Sequence, residues 1–105
     1  MSEYLNERIY FPSGMAADDY DARHFAVHVQ WRGKGEWAVT KGLGYPAHSF
    51  LSRTGKWLFL PQPMHRRYCR FDFETACEMA EKYVDSVEVN GGTWAQWQAR
   101  KEGAR

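Results

Sequence analysis

Two hydrophobic periods follow one another in this chain, first two and then 3.6, and that order restricts it to a sheet with a helix laid across it. Phe25, Val27, Val29 and Trp31 alternate with His24, Ala26, His28 and Gln30, the period of a half-buried strand. Trp37 and Val39 alternate with Glu36, Ala38 and Thr40 beyond the Gly33-Lys34-Gly35 turn, so residues 24–40 read as a hairpin. A second hairpin is expected over residues 48–53 and 56–60, around Thr54-Gly55. A two-residue turn sets Phe50 opposite Phe59 and Leu51 opposite Leu58, which makes both faces apolar. Such a hairpin is either covered on both sides or offers one face to a partner. The period then changes. Phe73, Ala76, Cys77, Ala80, Tyr83 and Val84 fall on one helical stripe, with Glu74, Glu78, Glu81 and Asp85 opposite. Asp72 is placed to accept the unpaired amides of the first turn. Glu78 and Lys82 stand one turn apart, as a weak ion pair would.

The flanks complete the outline. Residues 8–11 read as a short strand stopped by Pro12, with Ser13-Gly14 as a turn and Asp18-Asp19-Tyr20-Asp21 as an acidic loop. Gly42-Leu43-Gly44-Tyr45-Pro46 is a loop, Pro61 and Pro63 end the second hairpin, and residues 67–71 read as one more strand. Residues 87–89 form a short strand and Asn90-Gly91-Gly92 turns the chain. Thr93 and Gln96 have capping-box spacing, so a terminal helix with Trp94 and Trp97 on one face follows. The last residues, 101–105, are expected to fray. The fold class is α+β: an antiparallel meander of about five or six strands, one amphipathic helix on a face and a short C-terminal helix. Residues 1–105 form a single domain, with 1–23 irregular.

A length of 105 residues supports one core without metal or disulfide staples. An aromatic content of 16% supplies large rings to fill it. The net charge of +1, from 14 basic and 13 acidic side chains, makes any basic surface local. Two cysteines, Cys69 and Cys77, form no CxxC and no disulfide framework. No secretory signal pattern or membrane-length apolar run is present, so a cytoplasmic protein is expected, without membrane partners.

No reactive constellation stands out, and the chain reads as a non-enzyme without cofactors. His24 and His28 on one strand lie about 13 Å apart, too far for one ion. His48 has no ligand-type residue near it in sequence, and His65 has only Cys69. Asp18, Asp19 and Asp21 lack the glycine and terminal glutamate of a calcium loop. Ser49 and Ser52 have no elbow and no base. Cys77 lies on the buried stripe, and Cys69, although beside Arg70, reads as a core-filling thiol. Gly42-Leu43-Gly44 continues into no phosphate-binding signature.

Binding remains. A protein partner is expected at the apolar hairpin, with Trp57 and Phe59 as contact area and Arg53 and Lys56 at the rim. Trp94 and Trp97 offer a second surface. The alternative is nucleic acid held by Arg32, Lys34, Arg66, Arg67 and Arg70, with Tyr68 among them. A third reading is a self-assembling subunit that pairs through the second hairpin.

The junction Arg70-Phe71-Asp72-Phe73-Glu74-Thr75-Ala76, after the hairpins, is similar to the small AP2-like, arm-type DNA-binding domains of phage integrases, although this chain lacks their basic charge. The pattern of Trp37-Ala38-Val39, Leu51-Ser52-Arg53-Thr54-Gly55-Lys56-Trp57, Arg70-Phe71-Asp72 and Val89-Asn90-Gly91-Gly92-Thr93 resembles small accessory proteins of actinobacterial phages and mobile elements. That resemblance implies a phage-encoded protein that binds a host protein or regulates a phage process in the host cytoplasm.

Overall fold

The structure, a computed structural model, describes residues 7–15, 22–41, 49–59 and 68–103. The acidic loop, the Gly42-Leu43-Gly44 segment, His48, His65, Arg66 and Arg67 lie outside the described residues.

Five strands form one antiparallel sheet in sequence order, a meander: β1 (Arg8–Tyr10), β2 (Val27–Gly33), β3 (Glu36–Lys41), β4 (Ser49–Leu51) and β5 (Trp57–Leu58). A short helical turn, α1 (Ala22–Phe25), leads into β2, so the strand begins at Val27 and not at residue 24. His24 and His28 therefore do not share a strand. After the sheet come α2 (Phe73–Tyr83) and a 3₁₀ turn (Val84–Ser86). A two-stranded hairpin, β6 (Glu88–Val89) and β7 (Gly92–Thr93), and α3 (Trp94–Gly103) complete the chain.

Period two holds in β2, whereas β3 is buried on both faces: Ala38 and Thr40 are as buried as Trp37 and Val39, because a second cluster covers the side that the alternation assigned to water. Val27 and Val29 pair with Lys41 and Val39, and both valines are buried. Lys34 and Gly35 make a two-residue turn with φ of 52° and 73°, which matches the twist of the strands it joins. The second hairpin differs by one residue. Gly55 donates its amide to Ser52 O (3.0 Å), Ser52 donates to Lys56 O (2.8 Å), and Gly55 has φ +85°. That is a three-residue loop closed by a residue in the left-handed region. The extra residue moves the register, so Phe50 faces Leu58 and Leu51 faces Trp57. Ser52 is buried, and its hydroxyl accepts the Lys56 amide (3.1 Å) and meets the Thr54 hydroxyl (2.9 Å).

The expected strand over 67–71 is reduced to one bridge. Trp37 and Phe71 exchange both backbone hydrogen bonds, at 2.8 and 2.9 Å. β4 leaves the β3 ladder before Trp37, and Phe71 takes the place beside it. Asp72 then caps α2: its Oδ1 accepts the Thr75 amide at 2.7 Å, and the hydrogen bonds to Thr75 hold its carboxyl below the usual aspartate range.

α2 lays the expected stripe on the sheet. Ala76, Ala80 and Val84 are buried with Val27, Val29, Val39 and Leu51, and Phe73 meets the Trp37 ring edge-on at 4.6 Å. Small Ala side chains let the helix approach the valines closely. Glu74, Glu78 and Glu81 face water. A smaller cluster, Ala38, Phe50 and Cys69 with Leu58 against it, occupies the opposite face of the sheet. On that face one row of paired residues runs through all five strands: Ile9, His28, Thr40, Phe50 and Leu58.

At the far end of the chain, Asn90 and Gly91 form the turn and Gly92 belongs to β7. The capping box closes as its spacing predicts. The Thr93 amide donates to Gln96 Oε1 (2.9 Å) and the Gln96 amide to Thr93 Oγ1 (3.2 Å). The following helix runs on to Gly103, past the point where fraying was expected.

Two glycines test the turn geometry. A Cβ at Gly55 would overlap the Tyr83 hydroxyl, whereas one at Gly35 would meet nothing. Gly35→Ala should therefore cost only the left-handed penalty, about 1 kcal/mol. Gly55→Ala should cost roughly 2–4 kcal/mol, because crowding adds to strain. Urea midpoints at unchanged slope measure both, and equal losses would refute this packing.

Candidate functional site

Alternate turns of a meander fall at the same end of the sheet, so the β2–β3 tip and the β4–β5 loop stand side by side. Arg32, Lys34, Arg53 and Lys56 are all exposed there. The Trp37–Phe71 bridge brings a third segment to this end and with it Arg70, which is half-buried. The three segments are tied together. The Arg53 amide donates to Tyr68 O (3.1 Å), and Arg53 Nε donates to Arg70 O (3.3 Å). Arg32 reaches across β3 to place its guanidinium 5.3 Å over the Phe50 ring, and its Nη2 donates to Gln30 Oε1 (3.2 Å). The same Gln30 oxygen accepts the buried Thr40 hydroxyl (3.3 Å).

Two rings accompany these cations: Trp31 is 42% exposed and Tyr68 41%. Sequence periodicity assigned Trp31 to the buried face, but at the end of β2, where the register with β3 shifts after Trp31, its ring is exposed. On the three segments, 31–37, 52–57 and 68–72, the carboxylates are Glu36, half-buried, and Asp72, engaged in capping. These three segments carry five basic side chains, Arg32, Lys34, Arg53, Lys56 and Arg70, against these two carboxylates.

The hairpin proposed as an apolar contact surface is used inside the chain. Leu51 is fully buried under α2, Phe50 is buried in the second cluster, and Trp57 and Leu58 pack half-buried against these two groups. The Trp57 indole N–H donates to Ser86 Oγ (3.1 Å), and the Lys41 ammonium lies 5.4 Å from its ring centroid. Burial lowers the Lys41 pKa, and the Glu88 charge opposes that shift. Phe59 is the exception, at 69% exposed.

Trp94 and Trp97 lie at the opposite end of the sheet. They are half-buried against the core and line a cleft of about 230 Å³ with His24, Phe25, Val89 and Asn90. Gln98 and Lys101 close its remaining side. The sequence carried the signal for these last two, because they continue the helical stripe of the tryptophans.

Cys69 is buried, and burial pushes its thiol pKa up against the opposing pull of Arg70 and Arg53, so it is held as an unreactive thiol. Among the described residues no group of three His, Cys, Asp or Glu side chains is placed to hold a metal, and no helix is long and apolar enough to cross a membrane.

Trp57 should behave as a structural residue. Trp57→Phe loses one hydrogen bond, about 1 kcal/mol. Trp57→Ala should cost roughly 2–3 kcal/mol, and Phe59→Ala less than about 0.5 kcal/mol. Denaturant unfolding of the three variants checks the order, and a stable Trp57→Ala protein would contradict it.

In comparisons with protein-family models, curated proteins and solved structures, nothing matches this chain.

Proposed function

We propose that the chain is a non-enzymatic binding module that holds a single strand of nucleic acid against the cationic end of its sheet. The observation that carries this reading is the convergence of Arg32, Lys34, Arg53, Lys56 and Arg70 from three chain segments, with the exposed Trp31 and Tyr68 rings on the same segments. Cations neutralise successive phosphates, and flat rings stack on unpaired bases. Neighbouring strands lie about 4.8 Å apart, so the β2–β3 and β4–β5 turns, two strand spacings apart, hold their basic side chains roughly 10 Å apart, on the scale of a few nucleotides. The resemblance of the strand-to-helix junction to arm-type DNA-binding domains agrees with this reading. A phage-encoded protein working in the host cytoplasm is the setting it implies.

A protein partner is the second reading, and the exposure of Phe59 beside the Arg53 and Lys56 loop favours it. An exposed ring with a basic rim suits a contact anchor. It has less support than the first, because Trp57, Phe50 and Leu51 are engaged within the fold.

Fluorescence anisotropy with a labelled oligothymidine separates the two. Binding should weaken by about one to two orders of magnitude between roughly 50 and 200 mM salt. Lys34→Gln with Lys56→Gln should reduce the salt slope by about 1.4 and leave the melting temperature unchanged. Absence of binding at low salt, or a slope insensitive to these substitutions, would refute the nucleic-acid reading. Capture of a host protein that Phe59→Ala abolishes would then establish the second.

A further inference from the structure

The cleft under α3 is independent of the cationic end, because it opens where α1 enters the sheet. Its construction starts from the capping box. The reciprocal Thr93–Gln96 hydrogen bonds fix where α3 begins, and so fix its phase. In that phase Trp94, Trp97, Gln98 and Lys101 occupy positions i, i+3, i+4 and i+7, one stripe, and all four line the cleft.

The walls are held. The Trp97 indole N–H donates to Val89 O at 2.8 Å, and the Arg100 guanidinium lies 4.6 Å from its ring centroid on the helix surface. The Trp94 ring lies against Gly14, where a Cβ would stand 3.6 Å from it. Phe25, 4% exposed, is anchored in the core. α3 has no fully buried residue, so two tryptophans are placed on it without closing the space between helix and hairpin. Interiors are close-packed, and side chains of this size would fill a mere packing defect.

The lining states what fits. Three aromatic rings, from Phe25, Trp94 and Trp97, favour a flat apolar body. The cleft of about 230 Å³ lies below the roughly 300–1,000 Å³ of drug-sized pockets, so it admits a single ring system. Lys101, which is exposed, and the amide residues Asn90 and Gln98 also line the cleft, and none of the described residues lining it is a carboxylate. The Trp94 indole N–H is buried and without an acceptor, unlike those of Trp57 and Trp97.

We infer that this cleft is a binding site for a small planar aromatic carboxylate. The ring lies between the Trp94 and Trp97 side chains, and the carboxylate is paired with Lys101 and the neighbouring amides.

The test uses the full ¹⁵N-labelled chain, whose five tryptophans give five indole N–H signals. Indole-3-acetate should shift the Trp94 and Trp97 signals saturably in the millimolar range or below. Indole, which lacks the carboxylate, should bind about tenfold more weakly, the size expected of one paired charge. Lys101→Gln, a change on an exposed rim, should retain the fold and bring indole-3-acetate down to the affinity of indole. Absence of a saturable shift at these two signals, equal affinity for indole and its acid, or an undiminished preference in Lys101→Gln would each overturn the assignment.

Discussion

The reciprocal hydrogen bond pair between Trp37 and Phe71 is the joint on which this structure turns. Each bond contributes only about 1 kcal/mol net, but together they fix where the chain leaves the sheet and enters α2. Upstream of the joint, Cys69 drops into the cluster with Ala38 and Phe50, and Arg70 is set beside the Arg53 loop. Downstream, Asp72 caps the helix and Phe73 meets Trp37, so Ala76, Ala80 and Val84 land on the valines of β2 and β3. One backbone contact thus serves both faces of the sheet and gathers the basic side chains of the proposed nucleic-acid surface.

α2 covers one face of the sheet and the small Ala38–Phe50–Cys69 cluster occupies part of the other, while the two ends of the sheet differ in chemistry. At the end with the β2–β3 and β4–β5 turns, short loops hold arginines and lysines out from the strands, with Trp31 and Tyr68 next to them. At the other end, the β6–β7 hairpin and α3 make a concave aromatic site with a single ammonium at its rim. The first arrangement suits an extended polyanion with many weak contacts, the second a small ring with one charge.

Much of the fold was legible in the sequence where a local rule decides. The Ala76–Ala80–Val84 stripe, the Asp72 cap, the Thr93–Gln96 box and the β2–β3 hairpin all depend on neighbours within four residues or on a turn of fixed length. The misses have non-local or loop-geometric causes. The Thr54-Gly55 pair suggested a two-residue turn, but Gly55 closes a three-residue loop, and one residue of register moved Phe59 out of the pairing with Phe50. The segment before α2 looks like a strand, yet among its described residues only Phe71 forms a strand-type bridge, to the place beside Trp37 that β4 leaves open. Trp31 follows the period of β2 but lies at the strand's end, where its ring is exposed. Convergence of the basic residues is a property of meander topology, which spacing along the chain does not display. The cleft is likewise non-local, since His24 and Lys101, which both line it, are 77 positions apart in the sequence.

Native-state hydrogen exchange at the Trp37 and Phe71 amides tests the central claim most directly. If this joint holds sheet, helix and basic end together, both amides exchange only through global opening, with the same free energy as the amides of central strands β2 and β3. Fast exchange at Trp37 and Phe71 while β2 and β3 stay protected would show that the junction opens by itself. The helix and the cationic end would then be anchored by something else.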